Sequence, residues 1–173
     1  LKKLGGNPLP FGSIGTDFGE YENWMKKNAI DTSFLIRSAK LLTASAFVLN
    51  DRNKNQLVFF DAGAASKFRT VEKRILRSHF LELKNKASIA IISANNISFM
   101  IYFAGLCKRY KVPYIFDPGQ VAPLFKKNDF IKLLKGSFGF MANEYEIALT
   151  KNLTGMSMKD IVKHVEFAVE TKG

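Results

Sequence analysis

The second half of the chain alternates between short apolar runs and longer segments with the hydrophobic spacing of helices. The predicted strands cover 88–94, 113–116, 137–141 and 165–170, and the predicted helices cover 98–110, 128–134, 144–152 and 158–164. Short apolar strands that alternate with helices are typical of a parallel sheet that helices cover on both faces. The pattern therefore predicts an α/β fold with a Rossmann-like parallel sheet.

The first part of the chain has a different pattern. A strand at 9–14 leads into a glycine-containing turn, and Asp17 with Glu20 has the spacing of a capping box, which predicts a helix up to about Lys27. Three β-rich runs then follow without a helical segment between them, at 32–36, 42–50 and 56–60. A polar turn at 51–55 joins the last two as a hairpin. These runs predict a small accessory β-sheet beside the main sheet.

We therefore divide the chain into three regions. Residues 1–31 are the start of the α/β core, 32–60 are a β insert, and 61–173 continue a core that we expect to be incomplete. The chain opens at Leu1 without an initiator Met, and its last predicted strand leads into Thr171-Lys172-Gly173, where a turn would begin. Because such a strand normally has a partner beyond it, we expect a piece of a longer protein.

Composition excludes several classes of protein. The 173 residues are 47% hydrophobic and include 16 Phe, which argues against a disordered chain. The mean hydropathy is −0.04, and no apolar run approaches the ~18 residues of a membrane-spanning helix, so we expect no membrane partner. Cys107 is the only cysteine, which excludes an internal disulfide and indicates a reducing cytoplasm.

The net charge of +11 favours anionic partners, which include nucleic acids, nucleotides and phosphorylated metabolites. However, 20 of the 26 cationic residues are Lys, and they occur as scattered pairs. Nucleic-acid grooves favour Arg with exposed aromatic residues, whereas the aromatic residues here lie inside apolar strands. We therefore expect a solvated basic surface and no nucleic-acid partner. A non-enzymatic basic module that binds nucleotide or nucleic acid is the alternative outside enzymes.

Polar residues follow the predicted strands at their carboxyl ends, where open parallel sheets bind ligands. They are Asn95, Asp117, Asn143 with Glu146, and Thr171 with Gly173. Two groups also have a structural interpretation, because Asp117-Pro118-Gly119 favours a β-turn and Asn143 with Glu146 has capping-box spacing. An amide and a carboxylate at a helix N-terminus can equally organise Mg²⁺-bound water near phosphates. Neither G-x-G-x-x-G nor G-x-x-x-x-G-K-S/T is present.

Several segments, taken in order, resemble one family over nearly the whole chain. The chain resembles the ribokinase-like (phosphofructokinase-B type) sugar and nucleoside kinases, and most closely their adenosine-kinase-like branch. The segments that carry the resemblance are the glycine-containing stretch 4–19, Thr43-Ala44, Asn55-Gln56, the stretch Y-I-F-D-P-G-Q at 114–120, Asn143-Glu144-Tyr145-Glu146 as Asn-x-x-Glu, and Thr171-Lys172-Gly173 as Thr-x-Gly.

The resemblance implies an ATP-dependent kinase that transfers the γ-phosphoryl group to a hydroxyl of an adenosine-like nucleoside. A sugar kinase of the ribokinase or fructokinase kind is the alternative among enzymes. By the same resemblance, Asn143 and Glu146 position Mg²⁺ and the phosphates, while Thr171 and Gly173 border the ATP site. The substrate contacts implied by the resemblance are Asn95 and Asp117.

The resemblance also assigns a role to the β insert. The strands at 32–60 are implied to close over the substrate as a lid, and they can join two copies as a homodimer. The family's first substrate motif would precede Leu1, and its anion hole and catalytic base would follow Gly173. We therefore expect no catalytic residue within this chain, and no kinase activity from the chain alone.

Overall fold

The computed structural model describes residues 1–52, 56–66, 68, 70–83 and 89–172. The chain divides into two compact units, Leu1–Leu76 (unit 1) and Arg77–Gly173 (unit 2). The strands are β1 (Gly12–Ile14), β2 (Leu35–Arg37), β3 (Ser45–Asn50), β4 (Gln56–Asp61), β5 (Ala90–Ile92), β6 (Tyr114–Phe116), β7 (Gly139–Asn143) and β8 (Phe167–Thr171). The α-helices are α1 (Gly19–Lys27), α2 (Thr70–Leu83), α3 (Ile97–Arg109), α4 (Lys127–Leu134), α5 (Glu144–Thr154) and α6 (Met158–Ile161).

The main sheet lies in unit 2 and is parallel throughout, in the order β5-β6-β7-β8. Each strand pairs with the next one along the chain, so right-handed crossovers place α3, α4 and α5 on one face of the sheet. The sequence predicted helices on both faces. On the opposite face, Ile91 and Val169 are 48% and 37% exposed, so the described crossover helices of unit 2 cover one face only.

Phenylalanine fills the covered face of this sheet. Phe116 and Phe140 are register partners on β6 and β7, and both are fully buried. Phe125 and Phe130 pack against Phe116 with ring centroids 5.9 and 5.2 Å away, at interplanar angles of 80° and 65°. Edge-to-face contacts of this kind add to the free energy gained by burying the rings. The cluster joins α4 to the centre of the sheet.

The described residues of unit 1 form two small sheets. β1 pairs in parallel with β2, and β3 pairs with β4 as an antiparallel hairpin. We expected the run 32–36 in the accessory sheet, but Leu35 and Ile36 belong to the strand beside β1. Both side chains are buried, as in a parallel strand covered on both faces, whereas all six residues of β3 are exposed. The accessory sheet is therefore the hairpin alone, and the region boundaries at 31 and 60 stay a prediction.

The helix after β1 begins differently from the prediction. The N-cap residue of α1 is Phe18, and its side chain makes no capping hydrogen bond. Oδ1 of Asp17 instead accepts hydrogen bonds from the backbone N–H and from Oγ1 of Thr43, both at 2.7 Å. The predicted capping box of Asp17 and Glu20 is wrong because a residue distant in sequence binds the same carboxylate.

The end of α1 contains a strained backbone position. Ala29 has a φ of +54°, in the left-handed region that side chains with a Cβ disfavour. The backbone N–H of Ala29 donates to the carbonyl of Lys26, and that of Ile30 donates to the carbonyl of Met25, both at 3.0 Å. These two bonds form a Schellman motif at the C-terminus of α1, and this motif usually has glycine at the position of Ala29.

We expect Ala29→Gly to raise the free energy of unfolding by about 0.5–1 kcal/mol, because glycine removes the Cβ strain while it adds some chain entropy to the unfolded state. Urea unfolding measures the change. Gly155→Ala is the matched reverse substitution, since Gly155 ends α5 with a φ of +81° and an added Cβ there meets no atom within 4 Å. It should lower stability, and equal effects of the two variants would contradict the prediction.

Candidate functional site

A cavity of about 430 Å³ opens at the carboxyl ends of the four strands of the main sheet. Ser93 follows β5, Asp117 follows β6, and Asn143 and Thr171 are the last residues of β7 and β8. Glu146, in the first turn of α5, also lines the cavity. The structure thus brings together four residues that the sequence singled out: Asp117, Asn143, Glu146 and Thr171.

Asp117 is half-buried at the start of a tight turn. Its Oδ1 accepts a hydrogen bond from the backbone N–H of Gly119 at 3.1 Å, so the predicted turn is present. Gly119 has a φ of +49°, and a Cβ there would lie 2.9 Å from the Cβ of Ala94, so the turn requires glycine. The turn holds the carboxylate of Asp117 at the cavity wall.

Asn143 and Glu146 form a complete capping box. Oδ1 of Asn143 accepts from the backbone N–H of Glu146, and Oε2 of Glu146 accepts from the backbone N–H of Asn143, both at 2.9 Å. The structural interpretation of this spacing is therefore correct. The capping bond uses Oε2 of Glu146, so Oε1 is the second oxygen of a side chain that lines the cavity.

The cavity concentrates negative charge. Burial raises the pKa of Asp117, and the nearby carboxylate of Glu146 raises it further. No Lys or Arg occurs among the described residues that line the cavity. A half-buried carboxylate in a cleft whose pKa is raised by burial and by a neighbouring negative charge is typical of functional sites. This pair of carboxylates favours a ligand that brings positive charge.

The oxygen donors of this wall suit a hard divalent cation. Carboxylate and amide oxygens are available from Asp117, Glu146 and Asn143, and Mg²⁺ prefers such ligands while keeping several waters or phosphate oxygens. The described part of the chain contains no group of three or more His, Cys, Asp or Glu able to hold a metal by itself. A cation here would therefore complete its coordination with water or with oxygens of another ligand.

Two predicted site residues lie apart from this geometry. Asn95 is not among the described residues that line the cavity, and its Oδ1 accepts from the backbone N–H of Asn96 at 2.7 Å. Asn96 in turn caps α3. Gly173 lies outside the described residues. The roles of Asn95 and Gly173 stay predictions.

Sequence reasoning missed part of the cavity wall. Ser93 and Ala94 line it, but the predicted strand 88–94 included them, whereas β5 ends at Ile92. A strand end placed two residues earlier would have found both. Gln120 also lines the cavity, although the sequence singles it out only as the last residue of the motif at 114–120.

A second cavity, of about 560 Å³, lies within unit 1, beside α1 and β2. One oxygen there, Oε1 of Glu22, accepts from Arg37 at 2.7 Å, from Lys26 at 2.9 Å and from Thr32 at 3.1 Å. The hydrogen bonds from Arg37 and Lys26 lower the pKa of Glu22 to about 2. The network joins α1 to β2. Because Lys26 and Arg37 already pair with the carboxylate of Glu22, this cavity does not indicate a ligand.

In the described part of the chain, no helix combines the length and the apolar character needed to cross a bilayer.

Comparison with known proteins places the chain among kinases. Residues 1–172 match the pfkB family of carbohydrate kinases. A nucleoside kinase of Methanocaldococcus jannaschii is 28% identical over 176 residues, which cover all of this chain and 55% of that kinase. The chain thus spans about half the length of the curated relative that it matches.

Solved structures give the same answer for the fold. The nucleoside kinase of Burkholderia thailandensis in complex with inosine has a TM-score of 0.85 at 24% identity, over 99% of this chain and 55% of that one. The M. jannaschii nucleoside kinase, an archaeal member of the ribokinase family, has a TM-score of 0.81 at 27% identity over the same shares of the two chains.

These matches confirm the predicted ribokinase-like α/β fold, with its parallel sheet in unit 2 and its small antiparallel hairpin in unit 1. They also confirm the family resemblance that the motifs carried. The match extends along practically the whole sequence rather than over one motif. The chain belongs to the pfkB family of carbohydrate kinases.

Proposed function

We propose that this chain is part of an ATP-dependent kinase that transfers the γ-phosphoryl group to a hydroxyl of a nucleoside. One observation carries the proposal: three strand ends and the first turn of α5 in a pfkB-family chain bring Asp117, Asn143, Thr171 and Glu146 around one cavity. The 28% identity to a nucleoside kinase supports a nucleoside as the acceptor. The motif at 114–120 supports an adenosine-like one.

Phosphoryl transfer depends mainly on positioning and on stabilising charge. A polyphosphate near Asp117 and Glu146 would meet two carboxylates and no Lys or Arg among the described residues of the wall. We therefore propose that Asn143 and Glu146, together with Asp117, hold Mg²⁺ through its water shell. The bound Mg²⁺ would neutralise charge on the phosphates. Thr171, which lines the same cavity at the end of β8, would offer its hydroxyl to the nucleotide.

The acceptor is tested by measuring ADP formation from ATP and Mg²⁺ with inosine, adenosine, ribose or fructose. Because the chain covers 55% of the related nucleoside kinase, the assay uses a polypeptide that extends past Gly173, and we expect no turnover from the 173 residues alone. We expect kcat/KM for a nucleoside to exceed that for either sugar by at least about 100-fold. Faster turnover of a sugar would support the ribokinase or fructokinase alternative. No turnover, with salt-dependent binding of mixed DNA or RNA, would support the basic binding module.

We also propose that the hairpin β3–β4 is a lid whose outer face joins two copies of the protein. Phe47 lies opposite Phe59 in the register, and Leu49 lies opposite Leu57, so these four side chains share one face. They are between 56% and 69% exposed. Exposed apolar surface of this kind marks interaction sites, and an identical hairpin is a matching partner.

Sedimentation velocity tests this pairing. We expect the unaltered protein to dimerise and Phe47→Asp to be monomeric, because a charge would be buried at the centre of the apolar face. Val48 lies on the opposite face of the same strand, so Val48→Asp is the matched control and should still dimerise. A monomer from the unaltered protein, or equal effects of both substitutions, would contradict the assignment.

We propose that the enzyme acts in the cytoplasm. Its single cysteine supports this, because a chain with one cysteine cannot form the internal disulfides that are common in oxidising compartments. Cys107 is also fully buried in α3, and burial raises the pKa of its thiol to about 12. Such a thiol remains protonated and unreactive.

A further inference from the structure

The hairpin β3–β4 has little packing to set its direction. All six residues of β3 are exposed, and on β4 Leu57, Phe59 and Phe60 are between 56% and 62% exposed. The six register pairs hold the two strands to each other. These pairs do not fix the hairpin against the rest of unit 1, because a two-stranded ribbon can tilt as a unit. Its orientation therefore depends on the contacts made by the segments before β3 and after β4.

Hydrogen bonds connect the segment before β3, which we call the hairpin base, to the turn after β1. Thr43, two residues before β3, donates its hydroxyl and its backbone N–H to Oδ1 of Asp17, both at 2.7 Å. The same hydroxyl accepts from the backbone N–H of Gly15 at 2.9 Å. These bonds to Thr43 lower the pKa of Asp17, so the carboxylate stays charged. Hydrogen bonds to a charged acceptor are roughly twice as strong as neutral ones.

The backbone around Thr43 is also tightly enclosed. A Cβ on Gly15 would lie 2.2 Å from the carbonyl carbon of Leu42, and a Cβ on Gly63 would lie 2.4 Å from the carbonyl oxygen of Leu42. The backbone N–H of Ala64 donates to that same oxygen at 2.8 Å. Gly63 and Ala64 lie two and three residues after β4, so the turn after β1 and the segments that enter and leave the hairpin meet at one peptide.

We propose that Asp17 is a positioning residue, which fixes the orientation of the hairpin β3–β4 by holding Thr43. The inference rests on the proposed function for its catalytic consequence, because the hairpin is the proposed lid over the nucleoside. Asp17 lies between β1, which pairs with β2, and α1, whereas Thr43 lies two residues before the hairpin. The carboxylate therefore links the hairpin to the β1–β2 part of unit 1.

Backbone ¹⁵N relaxation measures the effect directly. In the unaltered protein we expect order parameters near 0.85 for the amides of β3, and in Asp17→Ala and Thr43→Val values below about 0.6. Thr43→Ser keeps the hydroxyl, so its order parameters for β3 should equal those of the unaltered protein. Asp31→Ala is the matched control, since Oδ1 of Asp31 also accepts from a nearby backbone N–H, that of Ser33 at 2.9 Å, away from the hairpin base.

Unchanged order parameters in both Asp17→Ala and Thr43→Val would overturn the inference, as would an equal loss in Asp31→Ala. If Asp17→Ala unfolds by circular dichroism, Thr43→Val decides the outcome, because it keeps the backbone N–H and the size of the side chain. In the active enzyme we expect KM for the nucleoside to rise and kcat to fall together, as at hinge positions, with rescue by Thr43→Ser. An unaltered enzyme without turnover would refute the proposed function and leave the relaxation result standing.

Discussion

Phe116→Ala is expected to lower the free energy of unfolding by about 3–5 kcal/mol. Phe116 is fully buried at the centre of the main sheet, and its ring contacts those of Phe125, Phe130 and Phe140. Removing the ring leaves a cavity whose walls belong to β7, α4 and the loop before α4, so the site cannot collapse from one side. A loss of this size is a large share of the stability of a typical domain.

Urea unfolding followed by circular dichroism measures this loss, and Phe60→Ala is the matched control. The same atoms are removed there, but Phe60 is 62% exposed and lies on the face of the hairpin opposite to Phe47, so we expect a change within about 0.5 kcal/mol. A loss below about 1 kcal/mol in Phe116→Ala would show that the cluster does not hold the sheet to α4. Similar losses in the two variants would point to an effect on the unfolded state.

The alternation of strands and helices was sufficient to predict the main sheet, because each βαβ unit is specified by local pattern and chain order. The pairing of β2 was not predictable in the same way. Its β-forming residues resemble those of the hairpin strands, and only the burial of Leu35 and Ile36 distinguishes it. Burial on both faces depends on which elements pack there, and local propensity does not contain that information.

Two equal spacings show where prediction of the site ends. Asp17 with Glu20 and Asn143 with Glu146 both have the separation of a capping box, yet only the second pair forms one. Thr43, 26 residues away in sequence, donates two hydrogen bonds to the carboxylate of Asp17. The carboxylate therefore does not cap α1. Local spacing therefore identifies residues that need a partner, and the tertiary structure decides which partner they find.

The largest functional effect is expected from Glu146→Gln. Glutamine also fits the third position of a capping box, so the free energy of unfolding should change by no more than about 0.5 kcal/mol. The charge that faces Asp117 is lost, however, and with it a proposed ligand of the Mg²⁺ water shell. We expect the Mg²⁺ concentration for half-maximal phosphoryl transfer to rise by about 10- to 100-fold.

The chain offers a matched control in its other capping box, where Asp160 accepts hydrogen bonds from the backbone N–H and the hydroxyl of Ser157 at the start of α6. Asp160 is not among the described residues that line the cavity, so Asp160→Asn should weaken the helix start and leave the Mg²⁺ response unchanged.

A second measurement needs no turnover. Because the carboxylate of Glu146 helps to raise the pKa of Asp117, a ¹³C titration should show that pKa falling in Glu146→Gln and staying unchanged in Asp160→Asn. If that pKa falls while the Mg²⁺ response stays the same, the two carboxylates interact but do not hold the metal, and Glu146 is then only a helix cap.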